Sequence, residues 1–275
     1  MSAHTAAVNL TRQIRTHAVE FHGVSRSFRH RDGRLVPAIV DVDLTVDDGQ
    51  RVMLVGPSGC GKTTLLNLAA GLDLPTTGTV HLEGQEVKQP TGRAGYMFAR
   101  DALFPWRTIE RNVTFALEAA KASPSRRVQS ERARELLALV GLTGYEHAYR
   151  SELSHGMRQR AALARTLAPE PAVMLMDEPF GALDAQTKAG LQDVFTALCK
   201  RLNPTVLFVT HDLREALKLG NRVVVISGRP GRVVLDVQLD QYFGTDPADN
   251  DGIEFTSEFH DLYHQLHEAL GHGDH

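Results

Sequence analysis

Gly56-Pro57-Ser58-Gly59-Cys60-Gly61-Lys62-Thr63 fits G-x-x-x-x-G-K-[ST], the pattern of a phosphate-binding loop, or P-loop. The spacing has a physical reason. Glycines let successive backbone N–H groups turn inward as an anion nest. A helix starting at Lys62 aims the positive end of its dipole at the same point. Lys62 can reach the β- and γ-phosphates of a nucleotide, and the Thr63 hydroxyl can ligate Mg²⁺. The flanks agree. Arg51-Val52-Met53-Leu54-Val55 reads as a buried strand before the loop, and Thr63 to Ala70 reads as a helix after it. A plain glycine-rich turn between strand and helix has no need to fill every fixed position.

Working outward, residues 18–87 are strand-rich. Val40-Asp41-Val42-Asp43-Leu44-Thr45-Val46 alternates apolar and polar, and Asp48-Gly49 marks a turn. Between Thr108 and Leu167 the pattern turns helical, with 3–4 residue apolar spacing over Val128–Val140 and Met157–Leu167. Short apolar runs then return at Val173–Met176, Val206–Val209 and Val223–Ile226, separated by helical stretches at Gln186–Arg201 and Leu213–Leu219. Such runs suit a parallel sheet covered on both faces. The order is a βαβ alternation around a P-loop, interrupted by a helical insertion.

Bulk properties bound the function. The chain has 275 residues, 42% of them hydrophobic and 23% charged, as expected of a soluble globular protein. A net charge of −3 supplies no global field for nucleic acid or an anionic membrane. No apolar run approaches a transmembrane helix in length, and Met1 to Thr16 lacks the apolar core of a signal peptide. The two cysteines, Cys60 and Cys199, form no disulfide framework and suit a reducing cytoplasm. Membrane association is therefore expected only through a partner protein.

A P-loop alone does not name a function. Val173-Met174-Leu175-Met176-Asp177-Glu178 reads as an apolar strand that ends in a carboxylate able to serve a magnesium shell. Glu178, one step on, can polarise a water at the γ-phosphate. Val209-Thr210-His211-Asp212 puts a histidine just after another buried strand, where ligand crevices of such sheets lie. Taken alone, each is also compatible with an ordinary strand end or a helix cap.

With these motifs in order, the chain resembles the nucleotide-binding subunit of ABC transporters over about Val19 to Val237. Leu153-Ser154-His155-Gly156-Met157 resembles the family signature LSGGQ, and Ala182-Leu183-Asp184 resembles the loop that crosses the dimer interface. Phe28 resembles the aromatic that stacks on adenine, although a lone phenylalanine is commonly core. The resemblance implies a P-loop NTPase (RecA-like) α/β core with an antiparallel β subdomain and an inserted α-helical subdomain at about residues 100–168. Residues 1–16 read as a loose tail, 17–240 as the ATP-binding domain, and 241–275 as a histidine-rich helical tail. The resemblance further implies the ligands ATP and Mg²⁺. Phe28, Gly56, Pro57, Ser58, Gly59, Cys60, Gly61, Lys62, Thr63 and Thr64 would bind the nucleotide. Ser154, Gly156 and Asp184 would contact nucleotide across a dimer. Thr63 and Asp177 would organise the metal, Glu178 would be the catalytic base, and His211 would sense the γ-phosphate beside Lys62. The implied partners are transmembrane permease subunits, a second copy of the chain and, indirectly, an extracytoplasmic solute-binding protein, with no nucleic acid. The implied location is the cytoplasmic face of the inner membrane, where Trp106 and its neighbours would meet the permease.

One departure stands out. The family pattern Phe-Gln-x-x-x-Leu-x-Pro-Trp reads here Phe98-Ala99-Arg100-Asp101-Ala102-Leu103-Phe104-Pro105-Trp106. The family's glutamine touches Mg²⁺ and links the site to the permease, and a methyl group does neither. Water can fill the vacant position, because Mg²⁺ keeps several waters. A catalytically impaired regulatory subunit is the competing expectation, which the intact Glu178 opposes. A non-transport relative is another, opposed by the single cassette, the missing coiled coils and the near-neutral charge. Leu103–Trp106, Arg229-Pro230-Gly231-Arg232-Val233 and the short stretch after Val237 resemble importers of nitrate, sulfonates and taurine. Finally, Glu254 to Leu270 reads as an amphipathic helix with Phe259, Leu262, Tyr263, Leu266 and Leu270 on its apolar face. His260, His264 and His267, followed by His272 and His275, form either a solvated polar face or a Zn²⁺ or Ni²⁺ site.

Overall fold

The computed structural model describes residues 17–120, 125–181, 183–244 and 252–271. The expected loose tail at residues 1–16, Ala182, His272 and His275 lie outside the described residues. The strands are β1 (Val19–Arg29), β2 (Leu35–Val46), β3 (Arg51–Val55), β4 (Thr77–Leu82), β5 (Gln85–Glu86), β6 (Ala94–Met97), β7 (Val173–Asp177), β8 (Val206–Thr210), β9 (Arg222–Ile226) and β10 (Val233–Gln238). The helices are α1 (Lys62–Ala70), α2 (Ile109–Ala119), α3 (Arg126–Leu139), α4 (His155–Leu167), α5 (Ala185–Leu202), α6 (Leu213–Leu219), α7 (Asp240–Phe243) and α8 (Ser257–Gly271).

Two sheets result. The larger runs β10-β9-β3-β8-β7-β6, and the smaller runs β2-β1-β4-β5. The smaller is antiparallel throughout. In the larger, β9, β3, β8, β7 and β6 are parallel, while β10 joins the edge antiparallel.

The apolar strands have a simple logic. Side chains of a strand alternate between faces, so a strand covered on both sides must be apolar throughout. Val52 and Leu54 of β3 enter one core, with Leu207 and Val209 of β8 and Val224 and Ile226 of β9. Met53 and Val55 enter the other, with Val206 and Phe208, Val223 and Val225. The first core joins the sheet to α1 and the small sheet. The second joins it to α2–α6 and α8. Phe180, Phe195 and Phe208 meet edge-to-face inside the second core, at centroid distances of 5.4–6.0 Å.

The parallel sheet also places the site. Val55 lies opposite Thr210, and Asp177 lies opposite Val209. The C-terminal ends of β3, β8 and β7 are thus neighbours. Each is followed by one of the segments singled out above: the P-loop, Thr210–Asp212 and Asp177–Glu178.

The expected tail helix differs in one respect. The stretch from Glu254 is not continuous helix, because a short 3₁₀ turn at Ile253–Phe255 precedes α8. The Thr256 hydroxyl donates to the Ile253 carbonyl (2.8 Å) and accepts from the Phe259 amide (3.2 Å), which closes the turn and opens α8. Phe259, Leu262 and Leu266 are buried. Among the described residues no helix is long and apolar enough to cross a membrane.

Candidate functional site

The P-loop is held by close packing. Gly61, at φ +102°, precedes α1 directly, and a Cβ there would collide with Ile39 Cγ2 and press on the Ala38 carbonyl. A Cβ on Gly56 would be 2.6 Å from the Ile226 carbonyl. These two glycines are required for the loop to nest between β2 and β9. Lys62 is only 5% exposed, and its Nζ donates to the carbonyls of Gly56 (2.7 Å) and Pro57 (2.9 Å). The buried Cys60 Sγ lies 3.8 Å from the same Nζ.

Across the sheet end, the Thr63 hydroxyl donates to Asp177 Oδ1 at 3.0 Å. Burial pushes the Asp177 carboxyl above its ordinary range, with the Glu178 charge adding to the rise and the Thr63 bond and Lys62 opposing it. A hydroxyl and a desolvated carboxylate side by side are hard oxygen donors, so the pair fits Mg²⁺. Burial, with the Asp177 charge, likewise raises the Tyr96 phenol, whose hydroxyl bonds Asn67 of α1 (3.1 Å).

Glu178 follows at φ +45°, in the left-handed region that a non-glycine residue enters at a cost. Its amide donates to the Val209 carbonyl (3.0 Å), and its Oε2 lies 3.4 Å from His211 Nδ1. The His211 loop is pinned from behind. Asp212 caps α6 by accepting from the Arg214 and Glu215 amides. Lys188 of α5 holds Asp212 (2.8 Å) and the buried Glu215 (3.0 Å). Burial lowers the Lys188 pKa, but these carboxylates outweigh it and keep it above the ordinary value.

One groove of about 370 Å³ runs along this end of the sheet. Phe28, Ser58, Gly59, Gly61, Lys62, Thr63, Thr64 and Glu178 line it. Phe28 is therefore not core. It is 43% exposed, with the Arg26 guanidinium 4.8 Å from its ring centroid. Val36, Pro37, Ala38 and Arg229 complete the wall. Reading the sequence assigned them no part in the groove, because β2 reaches it only through the sheet-to-sheet packing.

Ser154, Gly156 and Asp184 do not line the groove. They sit at the starts of two helices instead. Ser154 caps α4 by accepting from the Met157 amide (3.3 Å). Asp184 caps α5 by accepting from the Thr187 amide (3.0 Å), a bond that lowers its pKa. Gly156 is buried so tightly that a Cβ would collide with Thr187 Cγ2.

The segment after β6 is tied to the same region by charge. Asp101 is 3% exposed and accepts from Arg150 at 2.8 and 3.0 Å, while Arg158 Nε lies 3.3 Å away. Burial pushes the Asp101 carboxyl up, but the two arginines and the Leu103 amide outweigh it and hold it below the ordinary range. Arg150 and Arg158 flank Leu153–Met157, so Asp101 fixes both ends of that loop. The exposed Ala99 offers only its carbonyl, which accepts from Gln159 (3.0 Å). No periodic pattern marks Asp101, Arg150 or Lys188, and nothing local in the chain pairs the first with the second or the third with Asp212.

Trp106 is 71% exposed and heads a second groove, of about 700 Å³, with Arg107, Glu110, Arg111, Gln129 and Arg134 among its walls. The α8 histidines do not converge. His260 Nδ1 lies 2.8 Å from the Thr256 carbonyl, and His267 stacks on Tyr263. Among the described residues no group of three or more potential ligands gathers as a metal site.

Comparison with known proteins agrees with this geometry. The family profile described as ABC transporter matches residues 39–181. The chain is 43% identical over 203 residues to an aliphatic sulfonates import ATP-binding protein of Bacillus licheniformis, covering 74% of this chain and 78% of the relative. It is 42% identical over 222 residues to a nitrate import ATP-binding protein of Synechocystis, covering 81% and 82%. A solved ATP-binding cassette, described as the dimeric structure of a post-hydrolysis state bound to ADP and Pi, superposes with a TM-score of 0.71 at 29% identity. That match covers 80% of this chain and 98% of the other. The chain belongs to the ABC transporter family, whose ATP-binding subunit it forms.

Proposed function

We propose that this chain powers a membrane importer by hydrolysing ATP at the cytoplasmic face of the membrane, as a peripheral subunit paired with a second copy of itself. One observation carries the reading. A single groove offers an aromatic face at Phe28, a P-loop wall at Ser58, Gly59 and Gly61–Thr64, and a carboxylate at Glu178. Phe28 stacks on the base. The loop amides and Lys62 hold the β- and γ-phosphates and offset their charge. Mg²⁺, when bound at Thr63 and Asp177, supplies further charge neutralisation on the phosphates. Glu178 takes the proton of the attacking water as the bond from the γ-phosphorus to the bridging oxygen breaks and ADP leaves with the electron pair. His211, beside Glu178, responds to the γ-phosphate.

Ser154, Gly156 and Asp184 act on the nucleotide held by the partner copy, and their position outside this chain's own groove supports that role. ATP binding closes the pair, and hydrolysis with release reopens it. The groove at Trp106 receives the permease. The similarity to importers of sulfonates and nitrate supports a small solute bearing an anionic oxygen group, delivered by an extracytoplasmic binding protein.

The test is Mg²⁺-dependent ATP hydrolysis by the purified chain, beside Glu178→Gln. Turnover should fall about 10²–10⁴-fold in the variant while ATP still binds. Normal hydrolysis by the variant would refute the assignment of the base. The methyl side chain of Ala99 favours a second reading, a subunit that is inactive alone. That reading gains if wild type is silent and Ala99→Gln restores turnover.

A further inference from the structure

The stretch Ser227-Gly228-Arg229-Pro230-Gly231-Arg232 connects β9 to β10 and is built against the nucleotide groove. Gly231 donates to the Ala38 carbonyl (2.8 Å) and accepts from the Val40 amide (3.0 Å). A Cβ on Gly231 would collide with the Cys60 carbonyl, so this turn lies flat on the P-loop. The Ser227 hydroxyl accepts from the Arg232 amide (3.0 Å) and closes the turn on itself. The turn is thus locked to the two backbone segments that wall the groove, β2 and the P-loop.

Arg229 stands at its tip. Its Nε donates to the Gly59 carbonyl at 2.9 Å, and its side chain lines the groove beside Phe28, Ala38 and Ser58. It pairs with no carboxylate among the described residues. A guanidinium carries five N–H donors in a fixed fork, which suits the oxygens of a phosphate. One donor is committed to the loop, and the charge is uncompensated at the mouth of a phosphate cradle.

We propose that Arg229 is a second cation of the nucleotide site. It pins the crest of the P-loop at Gly59 and presents its remaining N–H groups to the bound nucleoside triphosphate between Phe28 and Ser58. This rests on the ATP-binding reading above. It adds a binding residue outside the P-loop, from the turn between β9 and β10.

The test is equilibrium binding of ATP to the full-length chain by calorimetry, for wild type, Arg229→Ala, Arg229→Lys and Arg229→Gln. The Kd for ATP should rise about tenfold in Arg229→Ala and Arg229→Gln, the scale of one lost charge-assisted contact. Arg229→Lys should recover part of that loss, and the salt dependence of Kd should weaken in the two uncharged variants. The ligand-free melting temperature should fall by no more than about 2 °C, the scale of one exposed hydrogen bond. An unchanged Kd in Arg229→Ala would overturn the proposal. So would a larger fall in the ligand-free melting temperature that Arg229→Lys restores together with binding, since that pattern marks a structural prop. Wild type that binds no ATP would sink the nucleotide reading itself, an outcome visible before any variant is compared.

Discussion

Two loops assigned a part at phosphate in the proposed function are held in opposite ways. The P-loop is held by contact. Gly56 and Gly61 touch Ile226, Ile39 and Ala38 with no room for a methyl group, and Lys62 is bonded inside the loop itself. The Leu153–Met157 loop is held by charge. Buried Asp101 grips Arg150 on one side of it and Arg158 on the other. The P-loop stands on the central sheet, between two packed cores. The other loop rides on the helical insertion, reached through an ion-pair lattice. A cradle that must keep its shape benefits from close packing. An arm that must meet a second copy is set by interactions that tolerate some adjustment.

Substitutions can break that contrast. The largest effect should come from Gly61→Ala. Overpacking costs about 1–3 kcal/mol and a left-handed backbone about 1–2 kcal/mol, so about 2–5 kcal/mol should be lost together. Urea unfolding measures the stability, and calorimetry should find ATP binding lost with it. Asp101→Asn comes next. It leaves Arg150 and Arg158 facing a neutral group, at about 2–3 kcal/mol, below the ~3–5 kcal/mol of a fully buried pair because Arg150 is partly solvated. Like the Gly61 penalty, this one should depend little on salt, because a contact pair with a buried carboxylate is screened weakly.

The same carboxyl sets a pH test. Asp101 is held below its ordinary value, so it contributes stability above the unfolded pKa of ~3.9 and loses it as pH falls through its folded value. The gap between wild type and Asp101→Asn should therefore be full at neutral pH and close progressively below about pH 4. A gap independent of pH would show that the lattice acts by shape alone.

Smaller effects sharpen the picture at the second loop. Gly156→Ala should cost about 1–2 kcal/mol net, overpacking less a helix gain of up to ~1 kcal/mol. Thr187→Ser in the same chain should recover most of it, because the colliding atom is the Thr187 methyl. A double-mutant cycle with no coupling would mean that α4 and α5 are not in contact at Gly156 and Thr187 in solution. Ser154→Ala should cost about 1 kcal/mol as a lost helix cap, read as a shift in the melting midpoint.

Much of the cradle was legible from residues alone, because it is local. A strand with both faces covered must be apolar, a loop ringing phosphate needs glycines, and the helix follows at once. Glu178 and His211 were legible for the same reason, each lying one step past a buried strand. The lattice was not legible, since Asp101 and Arg150 lie 49 residues apart and nothing periodic links them. Nor was the part that β2 and Arg229 play in the groove, which depends on how two sheets and a turn pack together. The antiparallel seat of β10 gave no warning either, because an edge strand of mixed burial reads alike in both directions.

The internal bonds of Lys62 have a consequence for discrimination among anions. An ammonium already satisfied by two carbonyls is a poor trap for chloride or a stray inorganic phosphate, each of which must displace those bonds with little in return. A nucleotide's phosphate chain, bound as proposed, would displace the same bonds but engage the whole ring of amides at once. The lysine's internal bonds are thus a threshold that any incoming anion has to overcome.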